Sequence, residues 1–250
     1  MNILQDILET NKDVLKKSIP LTLNNWPILF TGLVYSVIIL FLFRIAFLFW
    51  ILAGILVTLV QSALISNYLY LIENIIRYGK ISIEDFKRGF TVYIWKIYGI
   101  MVVIWFVNYG LSLFLSPLLR MQVAFVSLGS LIQLAAFVLL NCLPEVIYQK
   151  HFMAGESFSY CVEFIKENWL DWFVPNILLG ILFFALTGRA LTANLLIGNS
   201  LIRPSINGII FYLVGQLFLS FIMIYRGLLF QALSGSTRRK RMYMRNMYRP

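Results

Sequence analysis

Three glutamines inside long apolar stretches are the first residues of this sequence that could do chemistry. Gln61, Gln133 and Gln216 each fall near the middle of such a stretch. Polar groups within a membrane are costly, and they usually face protein or a water-filled cavity. Because an amide both donates and accepts, three of them could close a ring of hydrogen bonds. They could therefore hold helices together, or form a site for a solute or a lipid headgroup.

Three charged residues form a second candidate cluster in the same apolar stretches. Glu73 and Glu145 each follow a glutamine by twelve residues, and Arg226 falls in the comparable zone of the last stretch. An ion-pair cluster would satisfy all three charges, or each side chain could reach the headgroups separately. The sequence thus predicts an intramembrane polar site composed of Gln61, Gln133, Gln216, Glu73, Glu145 and Arg226.

Further polarity within the apolar stretches comes from amides and prolines. The amides are Asn108, Asn141 and Asn176. Pro144 follows Asn141 by three residues, and Pro175 directly precedes Asn176. A proline within a membrane helix frees a backbone carbonyl, which a ligand, a water or a neighbouring side chain can use. Proline is common in membrane helices, so this signal carries little weight alone.

Catalytic motifs are missing from the sequence. It contains no Gly-x-Ser-x-Gly elbow, Walker lysine loop or Gly-x-Gly-x-x-Gly fingerprint, which argues against acyl-transfer, phosphate and nucleotide chemistry. His151 is the sole histidine, so no two-histidine metal site forms in one chain; Glu145 and Glu156 are its only acidic neighbours. Cys142 and Cys161 are expected to be inert apolar fillers. We predict no enzymatic activity, no metal and no cofactor.

The elements that must position these residues are membrane helices. Of 250 residues, 60% are hydrophobic and only 13% are charged, whereas soluble domains are about a quarter charged. A span needs about 20 apolar residues to cross a hydrocarbon core of about 30 Å. The sequence therefore predicts an all-α polytopic protein with six transmembrane helices, at 28–43, 45–72, 93–116, 121–143, 170–188 and 208–233. Tight turns are expected at Arg44 and at Pro117 to Arg120.

Lys and Arg predict the orientation of these helices. The formal net charge is +10, and the cations concentrate on the side that holds both termini. The opposite side carries only Arg44, Arg120, Arg189 and Arg203. Because positively charged loops stay in the cytoplasm, both termini are expected there, in a multi-pass protein of the plasma membrane.

The segment 236–250 is expected to be a basic cytoplasmic tail. Cations alternate there with aromatic and methionine residues directly after the last span. Anionic lipid headgroups attract such a segment by about 1 kcal/mol per charge near the surface. We expect the tail to contact membrane lipids, and we expect no nucleic-acid partner because no nucleic-acid-binding fold accompanies the charge.

The sequence also contains an internal repeat at an offset of 72 residues. Thr10-x-x-Asp13 recurs as Ser82-x-x-Asp85, while a third copy at 154–158 keeps an aromatic residue but loses the capping pattern. These pairs are typical of a helix start. The residues 1–235 are thus predicted to be one membrane domain of three units, about 1–72, 73–144 and 145–235. Each unit is an amphipathic helix followed by a helical hairpin.

The first amphipathic helix has a predicted apolar face and a mostly charged face. The apolar face consists of Ile3, Leu4, Ile7, Leu8, Val14 and Leu15. Such a helix lies in the membrane plane or against other spans. It could only position the next span, or it could contribute to a cytoplasmic docking face.

A few short steps carry a resemblance to a known family. They are Pro144-Glu145-Val-Ile-Tyr, Glu156-Ser-Phe158 and Asn168-Trp169, within the threefold pattern. With them the chain resembles a bacterial six-span family that is similar to the glycerophosphoryl diester phosphodiesterase membrane-domain superfamily. In members named for that enzyme, hydrolysis belongs to a separate soluble domain. The resemblance therefore implies a bacterial membrane protein, but no activity and no functional residues.

Two functions remain open at this stage, ahead of an intramembrane enzyme, whose available acids Glu73, Glu145 and Glu156 have no convincing His, Ser or metal partner. The first is a permease-like or accessory component of a transport system, which would need an ATPase or a second membrane subunit as partner. The alternative is a non-transporting lipid-binding or scaffold protein of the membrane. The external loop 189–207 could be a lid, a plug or a simple connector.

The predicted orientation is tested with two cysteine variants. We expect a membrane-impermeant maleimide to label Arg203→Cys in intact cells, and to label Arg249→Cys only after the membrane is opened. The charge rule places the two positions on opposite sides. Labelling of the tail cysteine in intact cells would contradict the orientation.

Overall fold

The computed structural model describes residues 3–123, 125–188, 206–236 and Tyr243. Within these ranges the chain is almost entirely helical, with two 3-10 segments at Trp26–Phe30 and Phe47–Leu52. A two-residue antiparallel pair is formed by β1 (Gln122–Val123) and β2 (Val126–Ser127). The helices are α1 (Ile3–Asn24), α2 (Thr31–Ala46), α3 (Ala53–Tyr78), α4 (Ile83–Val92), α5 (Ile94–Phe114), α6 (Ser116–Leu119), α7 (Leu128–Leu139), α8 (Leu143–Gln149), α9 (Ala154–Thr187) and α10 (Ile206–Ser234).

Six helical segments of the described chain are long and apolar enough to cross a membrane. They are Trp26–Ala46, Ala53–Tyr78, Ile94–Phe114, Leu128–Gln149, Ala154–Thr187 and Phe211–Ser234. This confirms the predicted all-α polytopic protein with six transmembrane helices. The last segment is the most buried of the six, and α10 contacts α1, α3, α8 and α9.

The connection between the first two spans differs from its prediction. Arg44 lies in the last turn of α2, not in the turn itself, because nothing at 44–46 breaks the helix and arginine is a good helix former. The reversal falls in the 3-10 segment, where Trp50 has a positive φ of 42°. The Trp50 side chain is 83% exposed. Tryptophan is enriched at membrane–water interfaces, which suits this position at the end of a span.

The fourth span begins later than expected and is broken. Residues 122–123 and 126–127, predicted to be helical, form β1 and β2, and the Ser127 hydroxyl caps α7 by accepting from the Ser130 N–H at 3.2 Å. The helix then breaks at residues 140–142, and Pro144 lies in the first turn of α8. Proline is favoured in the first turn of a helix and disfavoured in its interior.

The third amphipathic segment and the fifth span, predicted to be separate, form one bent helix. α9 runs from Ala154 to Thr187 with non-helical backbone angles at Asn168. The Asn168 side-chain amide donates to the Phe164 carbonyl at 3.1 Å. This bond offers the backbone a local alternative at the bend.

The three amphipathic segments pack back on membrane helices. α1 lies against α10, α4 against α3, and the first part of α9 against α8. At the last of these contacts, Cys142 Sγ is 3.9 Å from the Cys161 carbonyl oxygen. α1 and α4 thus contact the second membrane helix of another predicted unit, while α9 contacts the end of the fourth span; the threefold repeat itself stays a prediction.

Among the described side chains of α1, Ile7 and Val14 of the predicted apolar face are buried, whereas others of that face are not. Leu8 is 68% exposed and Leu15 is also exposed. The face toward α10 carries Asp6, Ile7, Thr10, Val14, Ser18 and Thr22. The reason is a polar contact with α10, where the Tyr225 hydroxyl donates to Asn11 Oδ1.

The predicted helix starts have mixed outcomes. Thr10 lies in the interior of α1 and does not cap it. Ser82 and Asp85 form the reciprocal capping box at α4, with the Asp85 N–H donating to Ser82 Oγ at 3.1 Å. At α9, where capping was predicted to be lost, the Glu156 carboxylate accepts from the Met153 N–H at 3.1 Å.

A glycine allows α4 to approach α3 closely. A Cβ at Gly89 would lie 2.9 Å from Asn67 Nδ2 and 3.1 Å from Asn67 Cα. The Ser66 hydroxyl donates to the Gly89 carbonyl at 2.7 Å and accepts from the Tyr93 N–H at 2.8 Å. The Asn67 amide donates to the Phe86 carbonyl. Hydrogen bonds that need short backbone distances therefore join the two helices.

We predict that Gly89→Ala lowers the free energy of unfolding by about 1–3 kcal/mol, because the new methyl overpacks this contact. The matched control is Gly155→Ala on α9, where a Cβ meets nothing within 4 Å; there alanine is neutral or stabilising through its helix propensity. Thermal unfolding of the two variants in detergent measures the difference. Equal melting temperatures would contradict the close approach.

Candidate functional site

Arg226 of α10 and Glu145 of α8 form an ion pair in the centre of the protein. Their side chains are 2% and 0% exposed. Arg226 Nε donates to Glu145 Oε1 at 2.7 Å, and Nη2 donates to Oε2 at 3.0 Å. This paired geometry gives both strength and direction. Two of the three charges in the predicted cluster are thus brought together.

Asn141 completes the coordination of the guanidinium group. Arg226 Nη2 donates to the Asn141 carbonyl at 2.6 Å, and Nη1 donates to Asn141 Oδ1 at 3.2 Å. The carbonyl is available because the helix is broken at 140–142. The break in the fourth span therefore has a direct use, since a buried charge needs hydrogen bonds beyond those of its counterion.

Two further side chains extend the cluster along α9. Trp172 Nε1 donates to Asn141 Oδ1 at 3.0 Å, and the Trp172 ring lies 5.0 Å from Arg226 Cζ. The Asn176 amide in turn donates to the Trp172 carbonyl at 2.6 Å. The five residues Glu145, Arg226, Asn141, Trp172 and Asn176 are called the Arg226 network below.

Glu73 does not join this network, contrary to the predicted three-charge cluster. Its Oε1 accepts from Arg77 Nη2 at 2.9 Å, and its Oε2 accepts from the Tyr93 hydroxyl. Burial, and then the hydrogen bond and charge of Glu73, raise the pKa of Tyr93 well above its ordinary value. The Tyr93 phenol therefore stays protonated and donates. Arg77 lies one helical turn after Glu73 and so is the nearer cation.

The three glutamines lie in three different surroundings. Gln61 is half-buried on α3. Gln133 lies on α7 and lines a cavity. Gln216 lies on α10 and is buried next to Gly32 of α2. Within the described part of the chain, no hydrogen bond joins any two of these three side chains. The expected ring is therefore not formed, and only Gln133 shares a surface with Arg226.

A cavity of about 1260 Å³ lies between α5, α7 and α9. Its walls come from 103–112, 129–144 and 173–184, and they consist mainly of aliphatic and aromatic side chains. Its lining side chains with polar groups are Trp105, Asn108, Tyr109, Ser112, Gln133, Asn141, Asn176 and Arg226. This space is called the lateral cavity below. The Arg226 network thus reaches the surface of a large apolar cavity.

The orientation of both network amides follows from their partners. Asn141 Oδ1 accepts two hydrogen bonds, so Asn141 Nδ2 is the part of the amide that remains for a ligand. Asn176 Nδ2 faces a carbonyl oxygen, so Asn176 Oδ1 is the remaining acceptor. That oxygen is buried and has no hydrogen-bond partner among the described residues. Among the residues of the Arg226 network, Asn141 Nδ2 and Asn176 Oδ1 are therefore the donor and the acceptor that remain.

One contact between α5 and α8 was not predicted from the sequence. Lys96 of α5 donates to the carbonyls of Ile147 and Lys150, at 3.0 and 2.8 Å. A cation at the last carbonyls of a helix is favourable, and this contact ties α5 to the end of α8. Asn141 and Asn176 had been noted only as general polarity. The sequence did contain a signal for both: Asn141 precedes Glu145 by four residues and Asn176 follows Trp172 by four, a spacing that places side chains on the same face of a helix.

The charge of Arg226 is neutralised by Glu145, and the thiols of Cys142 and Cys161 are buried as expected. Within the described ranges, no three His, Cys, Asp or Glu side chains are grouped so that they could hold a metal ion.

Comparison with known protein families, with characterised proteins and with solved structures found no match for this chain. The resemblance to the phosphodiesterase membrane-domain superfamily therefore stays a prediction. The six long apolar helices of the described residues indicate that the chain is an integral membrane protein.

We predict that Glu145→Gln lowers the free energy of unfolding by about 3–5 kcal/mol, because it leaves Arg226 buried without a counterion. The matched control is Glu73→Gln. It is expected to change the free energy of unfolding by less than about 1 kcal/mol, because Arg77 is partly exposed and glutamine can still accept from Tyr93. Thermal unfolding in detergent measures both.

A companion variant separates charge from packing. Replacing both members of the pair, Glu145→Leu with Arg226→Leu, should be less destabilising than Glu145→Gln, because no buried charge remains. If Glu145→Gln and Glu73→Gln have equal melting temperatures, the pair does not hold the structure together.

Proposed function

We propose that this integral membrane protein binds a lipid in the lateral cavity and does not itself transport a solute. The observation that carries the proposal is the cavity of about 1260 Å³ with apolar walls and the Arg226 network on its surface. This is the second of the two functions predicted from the sequence.

The size and lining of the cavity support a lipid as the ligand. Sites for small ligands usually have volumes of about 300–1,000 Å³, so the space suits a molecule larger than most small metabolites. Exposed apolar side chains such as Trp105, Val107 and Ile181 line it. Between membrane helices, molecules with long acyl chains are the ones that match such walls.

The polar lining supports a specific site over a general lipid-facing surface. A few polar groups in a mainly apolar pocket usually fix the orientation of a ligand. Asn141, Asn176 and Arg226 provide such groups, and all three belong to one hydrogen-bonded network. A site with one polar region and long apolar walls matches an amphiphile.

The transport function has less support from the described contacts. α1 and α4 are the amphipathic helices that could form a cytoplasmic docking face for an ATPase. Each of them packs one face against another helix of this chain, α1 against α10 and α4 against α3. A transporting complex would still require the ATPase or second membrane subunit predicted above. That partnership remains a prediction, as does the family relationship.

Two predicted features lie outside the described residues. The basic tail, expected to contact anionic headgroups, is described only to residue 236 and at Tyr243, and 189–205 of the external loop is not described. The lipid-binding proposal uses neither segment.

Filling the lateral cavity should abolish lipid retention. We predict that Gly180→Phe loses the lipid that co-purifies with the wild-type chain in gentle detergent, because the new ring occupies the cavity. Gly180 lines the cavity, and a Cβ there meets nothing within 4 Å. Native mass spectrometry counts the lipids that remain bound.

The control is Gly110→Phe on α5. A Cβ at Gly110 also meets nothing within 4 Å, and this residue does not line the cavity. It should therefore retain lipid like the wild type. Equal retention by both variants would contradict lipid binding in this cavity, and a stoichiometric ATPase on the purified chain would favour transport.

A further inference from the structure

We infer that the lateral cavity selects a lipid with an uncharged, hydroxyl-bearing head over phospholipids. The inference rests on the lipid-binding function proposed above and adds the chemical class of the ligand. It is carried by the charge balance and the unused hydrogen-bonding groups of the Arg226 network.

The charge balance of the cavity is the first argument. Among the described residues that line it, Arg226 is the only Lys, Arg, His, Asp or Glu. Its charge is already matched by Glu145, which is fully buried and bound through two hydrogen bonds. A phosphate group beside this pair would bring an uncompensated negative charge into an apolar space, which is strongly unfavourable. An uncharged head meets no such penalty.

The donors are the second argument. A guanidinium group has five N–H donors, and Arg226 uses one at Nε, two at Nη2 and one at Nη1. The remaining donors are one N–H of Nη1 and the amide of Asn141. This set fits one or two neutral oxygens, whereas a phosphate would need several donors and a free cation.

The unused acceptor is the third argument. Asn176 is 7% exposed and lines the cavity, and its Oδ1 has no partner among the described residues. Its orientation is fixed, because the amide nitrogen must face the Trp172 carbonyl. Phosphodiester and ester oxygens cannot donate to it. A hydroxyl both donates and accepts, so one such group can bind Asn176 and accept from Asn141 or Arg226.

Two kinds of lipid share this chemistry: a diacylglycerol and a long-chain alcohol. The experiment therefore uses four probes at equal concentration with the full chain in detergent, namely dioleoylglycerol, oleyl alcohol, dioleoylphosphatidylglycerol and dioleoylphosphatidylcholine. Native mass spectrometry measures the bound fraction of each. We expect at least one uncharged probe to bind about tenfold more tightly than either phospholipid, and the better of the two identifies the source of the hydroxyl.

Asn176→Leu tests the acceptor while keeping the side-chain size. It should reduce the preference for the uncharged probes over phosphatidylcholine to less than about twofold, and leave the binding of phosphatidylcholine, which has no hydroxyl to lose, unchanged. The matched control is Asn168→Leu on the same helix. Asn168 makes the same type of bond to a carbonyl four residues earlier, and it does not line the cavity. This control should keep the wild-type preference.

The outcomes separate this inference from the proposed function. If Gly180→Phe abolishes binding but all four probes bind wild type equally, or the phospholipids bind best, the head-group inference is wrong and lipid binding stands. If Gly180→Phe changes the binding of no probe, both fail. The wild-type preference decides the question even if Asn176→Leu does not fold.

Discussion

The neutralisation of one buried arginine organises the centre of this protein. Arg226 lies on the most buried membrane helix, where an unpaired charge is strongly unfavourable. Glu145 supplies the counterion, but a carboxylate uses only part of the guanidinium group. The remaining donors require a free backbone carbonyl, which a regular helix does not offer. The interruption at 140–142, and with it the division of the fourth span into α7 and α8, follows from this requirement.

The same interruption shapes the space beside it. α7 contains only 12 residues and contacts α9 more sparsely than α10 does. Between α5, α7 and α9 the side chains therefore leave the lateral cavity. On the opposite flank, α1 and α4 pack tightly on α10 and α3 through glycine, serine, threonine and asparagine. Small and polar residues are the usual means of close helix contact in membranes.

Hydropathy was sufficient to predict the six spans, because the requirement for about 20 apolar residues is nearly independent of tertiary contacts. The pairing of Glu145 with Arg226 was also predictable, since few opposite charges occur in apolar stretches and each needs a partner. The placement of Glu73 was not, because a local cation, Arg77, competed with the distant one. The apolar face of α1 was predicted only in part as a buried face: Ile7 and Val14 are buried while Leu8 and Leu15 are exposed, because an apolar stripe can face lipid as well as protein in a membrane. The break at 140–142 depends on a contact 85 residues away in sequence, which no local pattern reveals.

The sequence distance between the paired charges has a consequence for biogenesis. Glu145 precedes Arg226 by 81 residues, so the ribosome delivers the acid to the membrane well before the base. During that interval the fourth span carries an unmatched carboxylate, and the break after α7 lacks the guanidinium group that satisfies it. The ion pair and the hydrogen bonds at the break can therefore form only after the last membrane helix has been synthesised, so the centre of the bundle is completed by α10.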